Sequence, residues 1–71
     1  MKYYVTFQFR RLFSPVERYA VQCVNFEQAQ EVASDAYSLD GIMYLRISTS
    51  PRLSKDVKII TDAENYSREV K

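Results

Sequence analysis

From Lys2 to Phe9 polar and apolar residues take turns, with Tyr3, Val5, Phe7 and Phe9 on one side and Lys2, Tyr4, Thr6 and Gln8 on the other. That is the period of a strand with one buried face. Arg10 to Pro15 breaks the alternation, and Val16 to Val24 resumes it, with Tyr19, Val21 and Cys23 set against Arg18, Ala20 and Gln22. The two runs predict a hairpin closed around Ser14 and Pro15. The period then changes. Between Asn25 and Gly41, residues Phe26, Ala29, Val32, Ala33, Ala36 and Tyr37 recur at the spacing of one helical face. Asn25 suits the N-cap, Gln28 suits the return bond of a capping box, and Gly41 permits the left-handed backbone that commonly follows a last turn.

Ile42 to Ser48 reads as a third strand with Met43, Leu45 and Ile47 inward, and Val57 to Thr61 as a fourth. The end of the chain has two readings. Thr61 and Glu64 could cap a short helix lined by Ala63, Tyr66 and Val70, or residues 62–65 could turn into a fifth strand through Tyr66, Arg68 and Val70. The strand is preferred, because a sheet edge would otherwise stay open. These elements predict an α+β fold: an antiparallel four- to five-stranded sheet with one helix packed on one face, in the order ββαββ. A right-handed crossover from the second strand to the third would place the first strand centrally.

At 71 residues the chain makes one domain, residues 1–71, near the lower limit for a self-sufficient core. It has one cysteine and no histidine, so neither an internal disulfide nor the usual zinc sets are available. No apolar run approaches the ~20 residues of a membrane-spanning helix, and the alternating N-terminus lacks the form of a signal peptide. A soluble protein of the cytoplasm is expected.

Catalytic chemistry finds little purchase. Cys23 has no histidine to activate it and falls on the inward side of its strand, so a buried apolar role is expected rather than a nucleophile. With Gly41 as its one glycine the chain has no phosphate-cradling loop. No catalytic residue, cofactor or metal is predicted.

The net charge of +1 conceals an asymmetry. Val24 to Asp40 carries four acids and no base, which leaves ten bases against five acids elsewhere. On the helix Glu27, Glu31 and Asp35 form an acidic stripe, either a solvated outer face or a docking surface for a basic groove. On the helix-free side of the sheet the outward residues include Tyr4, Arg18, Tyr44 and Arg46, followed by Arg52 and Lys55 in the polar loop. Tyrosine and arginine together suit a protein interface or a single-stranded nucleic-acid platform, and equally a merely wet sheet face. Ser48 to Lys55 is the best single contact element, with Leu53 either a plug or an anchor.

The opening run Tyr3-Tyr4-Val5-Thr6-Phe7, the helix entry Val24-Asn25-Phe26-Glu27-Gln28-Ala29 with Val32-Ala33, and the return strand Gly41-Ile42-Met43-Tyr44-Leu45-Arg46-Ile47 resemble in pattern the small phage-encoded inhibitors of host machinery. Anti-CRISPR proteins are the nearer likeness, and a phage inhibitor of host RNA polymerase the second. The resemblance implies a non-enzymatic inhibitor in the bacterial host cytoplasm, monomeric or homodimeric. It would bind a host protein or ribonucleoprotein such as a CRISPR surveillance complex and block it sterically or electrostatically. The net charge departs from the strongly acidic DNA mimics of that group. A small nucleic-acid-binding domain using the Tyr/Arg face is the alternative.

Overall fold

A computed structural model describes residues 2–50 and 56–70. Arg52, Leu53 and Lys55, and with them most of the proposed contact loop, lie outside the described residues. The elements are β1 (Tyr3–Phe9), β2 (Glu17–Cys23), α1 (Phe26–Tyr37), β3 (Ile42–Ser48), β4 (Val57–Ile60), a 3₁₀ turn at Ala63–Asn65 and α2 (Tyr66–Val70). The strands form one sheet in the order β3-β1-β2-β4, with β1 inside it as the crossover requires.

The alternation along β1 and β2 translates directly into packing. Val5, Phe7 and Phe9 pair with Val21, Tyr19 and Glu17, and the inward side chains meet Ala29, Val32, Ala33 and Ala36 of α1 in one core. Small residues on that helix stripe let the backbone settle close over the sheet, and the aromatic rings of Phe7, Phe9 and Tyr19 stack with centroids 5.6–6.1 Å apart. Asn25 Oδ1 accepts the Gln28 N–H at 2.8 Å, as a cap should. The reciprocal bond reaches one residue further back than a capping box, from Val24 N–H to Gln28 Oε1 at 2.9 Å.

The helix is shorter than its sequence signal. It ends at Tyr37, with the Ser38 N–H and hydroxyl both donating to the Asp35 carbonyl; Tyr37 itself is 72% exposed instead of joining the core. Gly41 serves the following turn, Leu39 to Ile42, where the Ile42 N–H reaches the Leu39 carbonyl. Its φ is +78°, and a Cβ there would lie 2.0 Å from the Arg10 carbonyl oxygen. Both the conformation and the approach of the two backbones require glycine.

Met43 does not point inward. Tyr44 pairs with Gln8, yet Phe9 pairs with Ile42, so Met43 is the extra residue of a β-bulge, 61% exposed. The bulge turns Ile42 inward in its place, beside Leu45 and Ile47 against the core.

The sheet is mixed rather than antiparallel. β4 pairs with β2 in parallel, Arg18 to Val57 through Val21 to Ile60, and no fifth strand follows among the described residues. Burial explains the choice. The β2 side of the core still lacks cover after α1 is in place, and β4 and α2 bring Ile60, Tyr66 and Val70 there, all buried. Asp62, and not Thr61, caps the 3₁₀ turn by accepting from the Glu64 N–H at 2.9 Å.

Candidate functional site

The sheet register gathers the predicted Tyr/Arg residues on the helix-free face. Tyr4 lies between Ser48 and Gln22, Arg46 lies beside Thr6 with Ala20 beyond it, and Tyr44 stands two strands from Arg18 with Gln8 between them. No carboxylate sits on this face among the described residues. Tyr4 and Arg18 are half-buried, however, and Ala20 is covered to 1% exposure. Only Tyr44 and Arg46 of the four are exposed. Base stacking needs free ring faces, so this surface offers one stacking residue rather than a row.

The acidic stripe is divided. Glu27 and Glu31 are exposed on α1, whereas Asp35 is half-buried where α2 packs against the core. Burial, and then the neighbouring Asp35 carboxylate, push the Tyr66 hydroxyl pKa well above its ordinary value. Asp35 thus joins α1 to α2. A charge reversal there would disturb packing, and only Glu27 and Glu31 belong to a free acidic surface.

Cys23 is fully buried. Desolvation pushes its thiol pKa up, the opposite of what a nucleophile needs.

The most pronounced surface feature lies where the sequence showed only a break. Arg11 to Ser14 closes as a β-turn, Ser14 N–H to Arg11 carbonyl at 3.0 Å, with Leu12 and Phe13 at its tip rather than Ser14 and Pro15. Leu12 is 83% and Phe13 95% exposed, and Phe13 has a φ of +64°. That conformation is uncommon for any residue other than glycine and an outlier for a bulky one. The base of the turn is firmly held. Arg10 donates through its backbone N–H to Gly41 at 3.1 Å and through Nε to the Ser14 carbonyl at 3.2 Å.

Arg11 places its guanidinium 4.9 Å from the Phe9 ring centroid. One nitrogen of that group bonds Glu17 at 2.8 Å and another donates to the Val70 carbonyl. Glu17 also accepts from the Tyr19 hydroxyl at 2.9 Å; burial and then this carboxylate raise the Tyr19 pKa. Two arginines, an aromatic stack and the last turn of α2 therefore hold up two apolar side chains that touch little of the protein. The signal was present as two large apolar residues inside the polar break Arg10-Arg11-Leu12-Phe13-Ser14-Pro15.

A second exposed apolar area adjoins through Gly41 and Ile42. Tyr37, Ile42, Met43, Tyr44 and Leu45 line a shallow hollow beside the outer edge of β3. No helix among the described residues is long and apolar enough to cross a membrane. No protein family, no curated protein and no solved structure matches this chain.

Proposed function

We propose that the chain is a non-enzymatic docking protein that acts by occupying the surface of a larger protein or ribonucleoprotein, the mode implied by its resemblance to phage-encoded inhibitors such as anti-CRISPR proteins. The observation that carries this reading is Phe13. An exposed aromatic ring in a left-handed turn costs on the order of 1 to 2 kcal/mol of backbone strain and gains almost no burial within the domain. Strain without local compensation points to a use outside the molecule. Rigid aromatic anchors flanked by arginine are the residues on which protein interfaces concentrate their binding energy, and the bracing of this turn lowers the entropy that docking would otherwise lose.

The test is affinity capture from a bacterial host lysate with the full chain and with Leu12→Ser/Phe13→Ser. A stoichiometric complex held by the first and released by the second is expected. Recovery of no stoichiometric complex refutes the docking reading, and equal retention by both proteins refutes the turn as the contact and moves attention to Glu27 and Glu31. The nucleic-acid alternative rests on Tyr44, Arg46 and the absence of acids on their face among the described residues. It requires labelled single strands to bind with an affinity that falls steeply as salt rises; flat anisotropy at low salt eliminates it.

A further inference from the structure

We infer that the free edge of β3 is the interface with a second copy of this chain, paired antiparallel about a two-fold axis at Leu45. The inference is independent of the docking turn, which lies at the hairpin end of each copy. The two edges of the sheet are unlike. β4 has four residues and carries Lys58, a short charged strand of the kind that discourages pairing. β3 has seven residues with neither lysine nor proline, and beside it lie Tyr37, Met43 and Tyr44, each 41–72% exposed. A strand that long, with apolar side chains at its open edge, invites another strand.

What selects a second copy is the order of residues along β3. A two-fold axis at Leu45 sets Tyr44 opposite the partner's Arg46 and Arg46 opposite the partner's Tyr44. These cation–aromatic pairs repeat on the helix-free face, where no carboxylate among the described residues competes for the guanidinium. Leu45 then meets the partner's Leu45 on the helix-bearing face, and Met43 comes opposite the partner's Ile47. Moving the axis by one residue, to Arg46, would place the two guanidinium groups against each other, which disfavours that register. The pairing is isologous and closed, so it stops at two copies. It joins two four-stranded sheets into one and sends the two Leu12–Phe13 turns to opposite ends.

Sedimentation equilibrium of the full chain should give twice the 8.4 kDa of the protomer; a monomer throughout the micromolar to millimolar range overturns the proposal. Tyr44→Arg should dissociate the dimer by placing arginine opposite Arg46 at both ends, and adding Arg46→Glu should restore it through opposite charges. A dimer that survives Tyr44→Arg, or a double variant that stays monomeric, overturns the register. Hydrogen exchange on the unaltered chain provides a check that needs no variant to fold. Every amide from Tyr44 to Ser48 should be protected, and rapid exchange at alternate positions along β3 overturns the pairing.

Discussion

Replacing Gly41 with alanine should remove a large share of the stability of this domain. The new methyl carbon would lie 2.0 Å from the Arg10 carbonyl oxygen, with backbone carbon 2.9 Å away, so the two strands' ends cannot keep their places. The alanine must also hold a φ of +78°, costing about 1 to 2 kcal/mol. Separation breaks the hydrogen bond from Arg10 to Gly41, worth about 1 kcal/mol, and loosens Ile42 against the core at further expense. The strain and the lost bond together come to about 2 to 3 kcal/mol before any loosening of the core is added. At about 0.05 to 0.15 kcal/mol per residue, a 71-residue chain has only roughly 4 to 10 kcal/mol altogether. Urea denaturation followed by circular dichroism measures the difference, with Asp40→Ala as the control expected to stay within about 0.5 kcal/mol of the unaltered chain. A Gly41→Ala protein within about 1 kcal/mol of the original would show that the two backbones do not approach as described.

Phe13→Gly should raise stability by about 1 kcal/mol, because glycine adopts positive φ without strain and little packing is lost; a lower denaturation midpoint would refute the strained turn. Asn25→Ala should cost about 1 kcal/mol through loss of the bond to the Gln28 N–H, measured in the same way. Tyr66 and Tyr19 have folded-state pKa values raised above the ordinary value of 10.0, so their contribution is complete below about pH 10 and is lost as pH rises beyond it, where the unfolded chain releases protons first. Thermal melts from pH 9 to strongly alkaline solution should show this fall, and Tyr66→Phe should shrink it; an identical slope in that variant would contradict the burial of the hydroxyl beside Asp35.

The parts of this fold that were legible in sequence are those set by period. Alternation in β1 and β2 placed Val5, Phe7, Val21 and Cys23 inward, and the recurrence of Ala29, Val32, Ala33 and Ala36 found the buried helix stripe. Period says nothing about which strand a strand will choose, so the parallel pairing of β4 with β2 had to await knowledge of where the core remained open. Nor does it survive an added residue. The bulge at Met43 reversed one side chain that alternation had assigned to the interior. The helix ends early because Ser38 competes for the Asp35 carbonyl by side chain as well as backbone, and Tyr37, its last residue, faces solvent.

The candidate site was legible in half. Charge counting found the acidic helix face, and alternation gathered tyrosine and arginine on the helix-free sheet face. It could not show that Tyr4 and Arg18 are half-buried or that Asp35 contacts α2, because burial depends on what the rest of the chain covers. The turn at Leu12 and Phe13 was missed for a related reason: two apolar residues between strands look like ordinary loop content until their exposure and the φ of Phe13 are known.

The burial of Cys23 gives the molecule a clock. As the sole cysteine, fully enclosed on β2 with its thiol pKa raised by burial, it can meet an alkylating reagent only when that strand comes away from the core. Where reclosing outpaces the reagent, the labelling rate reports the fraction of time the core spends open. A timed mass measurement could therefore rank variants at Gly41, Asn25 or Tyr44 without denaturant and without engineering in a reporter residue.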